Sequence, residues 1–131
     1  MQKRYKKRIN IDWDGLISIL TVPFKEIAGM VFATYNNKKD ILDEIQRLCK
    51  GKFAHPSKCE RFLNHWHIAI SIECDDIEIQ KSIAEVIKAV WLARLKEKFP
   101  GERFKIPIWV YEHEVVISLY KVRGRKRSQN K

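Results

Sequence analysis

No stretch of this sequence reaches the roughly 18 consecutive apolar residues that a bilayer-spanning helix requires. No short apolar run follows the basic residues 1–8 as it would in a secretory leader. Neither a membrane span nor export is expected. Cysteine is scarce: Cys49, Cys59 and Cys74 are the only three. An odd, small number in a chain long enough to bury a core unaided argues against a disulfide framework, so a reducing, cytoplasmic setting is the expectation. Glycine is equally thin, and Gly15, Gly29, Gly51, Gly101 and Gly124 are dispersed. Nothing resembles a phosphate-cradling loop, and no cofactor is expected. Disorder is excluded too, because 45% of the residues are hydrophobic. A chain of 131 residues has room for one ordinary core.

What the sequence does have is cations, unevenly placed. There are 26 Lys and Arg against 16 Asp and Glu. Lys3, Arg4, Lys6, Lys7 and Arg8 stand in residues 1–8 without an acid among them. Lys121, Arg123, Arg125, Lys126, Arg127 and Lys131 stand in residues 121–131, again without an acid. The stretch between, 9–120, holds 15 basic and 16 acidic residues. A basic N-terminal arm (1–8), a nearly neutral globular body (9–122) and a basic C-terminal tail (123–131) are therefore expected. Such arms are the electrostatic footprint of polyanion binding. The leading expectation is non-enzymatic binding of nucleic acid, DNA or RNA, with Lys3, Arg4, Lys6, Lys7, Arg8, Arg123, Arg125, Lys126 and Arg127 on phosphates. The alternative is a protein-interaction domain, as a homodimer or with another partner, whose tails serve solubility. A lesser basic patch lies at Arg47, Lys50, Lys52, Lys58 and Arg61, with Glu60 the one acid among them.

Hydrophobic periodicity gives the order β-β-α-β-α-β-β, an α+β domain with a mainly antiparallel or mixed sheet and two helices on one face. Residues 16–22 (LISILTV) and 27–35 read as strands joined through 23–26. Asn36 and Asn37 offer a cap for a helix over 38–50, with Ile41, Leu42, Ile45, Leu48 and Cys49 on one stripe and Gly51 ending it. Residues 52–64 read as a loop. Residues 65–74 (HWHIAISIEC) alternate, which predicts a central strand with Trp66, Ile68, Ile70, Ile72 and Cys74 on one side. A long helix is expected over 76–98, capped by Asp75 with Glu78 three residues on, and striped by Ile79, Ile83, Val86, Ile87, Val90 and Leu95. Pro100 and Gly101 stop it. Strands 103–111 and 114–122 follow, turning at Glu112 and His113.

Chemistry-bearing side chains cluster between 49 and 74. Cys49, His55, Cys59, His65 and His67 are zinc-type ligands, but their spacing lacks the close cysteine pair that nucleates a finger or knuckle, and no bound metal is expected. Cys59, beside Lys58 and Arg61, also has the electropositive setting of a reactive thiol, though no orienting third group is evident. Trp109 and Tyr111 share a strand face with Lys105 and Pro107. If that face is open, it is an aromatic and basic surface on which bases could stack; otherwise it belongs to a dimer contact or a second core layer.

The segment Ile11-Asp12-Trp13-Asp14-Gly15, followed by a hairpin, the helix 40–50, Gly51 and a strand, resembles the end of the LAGLIDADG homing-endonuclease signature and the elements after it. The resemblance implies a metal-dependent nuclease, with Asp14 in the position of the acid that binds the divalent ion and Asp12 beside it. The sequence departs from that pattern at Trp13, where the family has a small residue, and at Lys6-Lys7-Arg8-Ile9-Asn10, which is unlike an apolar helix. Without the family, Asp12 and Asp14 read as loop acids before a strand, with Gly15 in a turn.

The 76–98 stripe makes a direct prediction. Ile87→Ala should cost about 2–5 kcal/mol, and Lys88→Ala, off the stripe, less than about 0.5 kcal/mol, read as two denaturant melts. Equal, small effects would mean that the helix is not docked through Ile87.

Overall fold

Asp12 decides the first element. In the computed structural model, which describes residues 11–49 and 55–124, Asp12 Oδ1 accepts from the Gly15 amide at 3.1 Å and starts helix α1, Trp13–Leu20. The strand expected over 16–22 is thus a helix. Leu16, Ile19 and Leu20 fall at the i, i+3, i+4 spacing that also fits a helix, and all three pack into the core. The far end of α1 is completed from a distance. Trp91 Nε1 donates to Ile19 O and Arg94 Nη1 to Leu20 O, each at 2.9 Å. These side chains belong to the long helix Ile77–Lys98 and occupy carbonyls that α1 cannot satisfy itself.

Strands β1 (Phe24–Ile27) and β2 (Met30–Ala33) form a hairpin around Ala28 and Gly29. The turn therefore falls at Gly29 and not over 23–26, as the sequence had implied. Both turn residues have positive φ, 55° and 79°, the geometry that matches the strands' own twist. Helix α2 (Lys38–Glu44) is capped by Asn37, as expected, and continues as a π-helical stretch over Ile45–Cys49. Ile41 closes a small satellite core with Ile27 and Phe32.

The segment expected as a loop contains helix α3, Pro56–Leu63. Proline at its first turn lacks only an N–H that would be unpaired anyway. Periodicity misses α3 because its inward face is polar: Glu60 and Asn64, four residues apart, are fully buried. Asn64 Oδ1 accepts from Ala33 N at 2.9 Å, and its Nδ2 donates to Val31 O (3.0 Å) and Leu119 O (3.2 Å). Glu60 accepts from Val31 N (2.7 Å) and Lys121 N (3.0 Å), and Arg123 grips both its oxygens at 2.6 and 3.0 Å. One helix face thus joins the first hairpin to the end of the second.

The expected central strand survives only as β3, Trp66–His67; the rest folds as helix α4, Ile68–Ile72. Ile68 and Ile72, one turn apart, are buried, while Ile70 is exposed. Alternation and the four-residue spacing coincide in this isoleucine run, and packing against α1 selects the helix. A Cβ on Gly15 would lie 2.0 Å from Ser71 O, so α1 and α4 meet backbone to backbone where only glycine fits. Asp12 N also donates to Ile72 O at 2.9 Å.

Helix α5 (Ile77–Lys98) is capped by Asp76, one residue later than expected. Its buried line is Gln80, Ala84, Ile87, Trp91 and Leu95, with Ile79 and Ile83 at the margin and Val86 in solvent. Buried Gln80 donates to Cys74 O and accepts from Val115 N, both at 2.9 Å. Trp91 meets Phe24 edge to face, 5.9 Å between centroids.

The second hairpin follows the expected course. Strands β4 (Phe104–Lys105), β5 (Ile108–Val110), β6 (Val115–Ile117) and β7 (Tyr120–Lys121) keep one register from Arg103–Val122 to Tyr111–Glu114, turning at Glu112 and His113. Pro107, without an N–H, divides it into two short ladders. β3 adds to β6, giving a three-stranded antiparallel sheet in the order β3-β6-β5. The result is the expected single small α+β domain with antiparallel sheets. The element order is roughly the anticipated one, with the first strand moved to Phe24–Ile27 and α1, α3 and α4 added. The two expected helices do not share one face of a single sheet: the strands form three sheets, and α2 covers the first hairpin while α5 covers the three-stranded sheet. No helix among the described residues is long and apolar enough to cross a membrane.

Two substitutions test this account. Gly15→Ala should destabilise by about 3 kcal/mol or more, since backbone must move to admit the methyl group. Glu60→Ala should cost about 3–5 kcal/mol by leaving Arg123 and two backbone amides without their acceptor. Denaturant melts read both, and losses below about 1 kcal/mol would contradict the close approach or the stitching, respectively.

Candidate functional site

The sheet's two faces differ. Trp66, Ile117 and Ile108 lie side by side across the three strands and pack toward the core. The next row, His67, Val116 and Trp109, lies on the other face and lines an open groove of about 700 Å³. Because Cys59, Glu60 and Asn64 turn α3 inward, Lys58, Arg61 and Phe62 project from its outer side and form the opposite wall. Tyr111 and Glu114, flanking the β5–β6 turn, close one end.

Hydrogen bonds hold the imidazoles in place. His67 Nδ1 donates to Glu114 Oε1 at 2.8 Å, and His65 Nδ1 to Phe62 O at 2.6 Å. The two imidazole rings meet edge to face, 5.2 Å between centroids, and Phe62 lies 5.9 Å from His65. Tyr111 is 55% exposed. The arrangement offers flat rings for stacking and two exposed cations for an anion; the residues lining it include no nucleophile with an adjacent base.

A smaller recess of about 180 Å³ shares Lys58 and Arg61 with the groove and reaches Ser57 and Tyr120. The Arg61 guanidinium stands 5.8 Å from the Tyr120 ring centroid. Ser57 Oγ in turn accepts from Arg123 Nη1 at 2.7 Å. The groove therefore runs along α3 to the point where the C-terminal tail departs.

Of the residues singled out in the sequence, the structure brings together Lys58, Arg61, His65, His67, Trp109 and Tyr111. Lys105 lies elsewhere, lining a separate recess with Lys88 and Leu92, because the hairpin twists between its two ladders. Arg123 is docked: besides Glu60 it donates to Gly29 O at 3.0 Å. Lys121 is held near Glu102 (3.6 Å) and Glu26 (3.9 Å). Lys3, Arg4, Lys6, Lys7, Arg8, Lys50, Lys52, Arg125, Lys126 and Arg127 lie outside the described residues, as do Gly51 and the Cys49 side chain.

Cys59, expected in a polar loop, is buried on the inner side of α3, away from the histidines that line the groove. Among the described residues no three His, Cys, Asp or Glu side chains gather as a metal site. Asp12 is engaged as the α1 cap, Asp14 is exposed in its first turn, and Gly15 is a packing residue. The segment resembling the end of a nuclease helix therefore begins one. Comparison of the chain with protein-family models, curated proteins and solved structures finds no match.

Sequence reasoning missed Glu60, Asn64 and Gln80, the polar groups that place the groove's walls. The available signal was Pro56 one turn ahead of Glu60, with Asn64 one turn further on, a spacing that fits a helix start as well as a loop.

Proposed function

We propose that the protein binds nucleic acid without catalysing a reaction. The observation that carries this reading is the groove itself, where Lys58 and Arg61 stand beside the rings of Trp109 and Tyr111. Aromatic faces with adjacent cations suit the two parts of a nucleotide, base and phosphate. The charge distribution of the chain supports the same reading. The cations of residues 1–8, with Arg125, Lys126, Arg127 and Lys131 beyond the docked Arg123, supply the long-range, sequence-independent attraction. The body then sets register and orientation.

A second reading, self-association through a protein-interaction surface, draws on α1. Trp13 and Ile17, one turn apart, are 63% and 54% exposed, and large apolar side chains left in water mark docking faces when they are contiguous.

Salt titration separates the two. If about six phosphates are neutralised, log K against log salt should fall with a slope near about −5 on duplex DNA. Removing residues 1–8 and 124–131 should flatten the slope strongly, and Lys58→Ala with Arg61→Ala should reduce it by about 1 for each cation that touches a phosphate. A chain with no salt-dependent affinity for DNA or RNA would overturn the proposal and favour self-association, which sedimentation would then report.

A further inference from the structure

An antiparallel sheet that leaves one face in water normally dresses it in polar side chains. Here the face turned to the groove carries the half-buried rings of His67 and Trp109 on either side of the buried Val116, continued by the exposed Tyr111 at the turn, while the opposite face packs on the core. Covering the core does not require those rings. Resting on the nucleic-acid reading above, we propose that the groove holds an unpaired, single-stranded segment, its bases against Trp109 and Tyr111 and its phosphates at Lys58 and Arg61.

Three features favour a single strand over a duplex. In a duplex, base faces are covered by their neighbours, so a ring can stack only on an unpaired base. The binding surface is also concave. It lies between α3 and the β5–β6 hairpin as an open groove of about 700 Å³, whose walls a flexible strand can follow. Finally, the charges are ordered along a path. The rings sit at the hairpin end, Lys58 and Arg61 are shared with the next recess, and that recess reaches Ser57, where Arg123 marks the start of the basic tail. A backbone following this path passes Lys58 and Arg61 and ends near Arg123. Glu114, the acid lining the groove, is held by His67 Nδ1 at 2.8 Å and so presents a partnered charge. An acidic peptide would use the cations but give the rings no flat partner.

The test measures affinity of the full-length protein for a fluorescent oligothymidylate and for the duplex it forms with oligoadenylate, at one salt concentration. The single strand should bind more tightly. Trp109→Leu and Tyr111→Ser should each shrink that preference by about tenfold, the scale of one lost base stack. Trp109→Phe, which keeps a ring, should retain most of it. Tyr111 is exposed, so its substitution reads binding without disturbing the core. Trp13→Ser, on α1, should change neither affinity. Equal or tighter duplex binding, or a preference that survives both ring losses, would overturn the single-strand assignment and leave the nucleic-acid reading standing. Binding of polyglutamate with no affinity for either nucleic acid would overturn both.

Discussion

The ion pair between Glu60 and Arg123 fixes more of this molecule than any apolar contact does. A carboxylate with no solvent exposure is tolerable only when its charge is matched and its lone pairs are filled. Here a bidentate guanidinium supplies the match, and backbone amides of β2 and β7 fill the remainder. The hairpin 24–33, the helix α3 and the segment after β7 at Arg123 are thereby brought to one point. Asn64 repeats the device one turn further along, with acceptors and donors on Val31, Ala33 and Leu119. Three short elements that would be marginal alone are joined by side chains acting as rungs between strands that do not pair.

The groove is a by-product of that arrangement. Once Glu60 and Asn64 point inward, helical geometry turns Lys58, Arg61 and Phe62 outward, facing a sheet whose opposite side is occupied by α5. The shape of the groove therefore depends on buried groups that do not line it. It also explains the double character of the C-terminal cations. Arg123 is tied into the fold, and Arg125, Lys126, Arg127 and Lys131 follow it in the sequence.

The legible parts of the sequence were those where one signal dominated. α5 carries a long apolar stripe with acids at its start and cations at its end, and the second hairpin alternates on either side of a polar pair. Asn37 announced α2. The illegible parts were those where two signals coincided or the decisive one was tertiary. LISIL and HIAISI satisfy both strand and helix spacing, and the choice falls to the Asp12 cap and to the approach of Gly15 to Ser71, a contact between distant parts of the chain that no local preference registers. α3 was hidden because burial there is achieved with polar side chains, which no hydrophobicity pattern registers. The site suffered the same fate at one remove: the basic patch near Lys58 and Arg61 and the aromatic face of Trp109 and Tyr111 were each visible, but only a helical α3 sets one opposite the other.

The capping of α1 carries a consequence for the order in which the chain organises. Eight residues are too few for a helix to persist alone in water, and the donors that complete its last turn, Trp91 and Arg94, lie 72 and 74 residues later. During synthesis, α1 must remain unfinished until α5 has left the ribosome. Loop closure over such a separation slows formation of the native contacts. α1 is thus made well before it is secured, and its last turn waits for α5 to complete it.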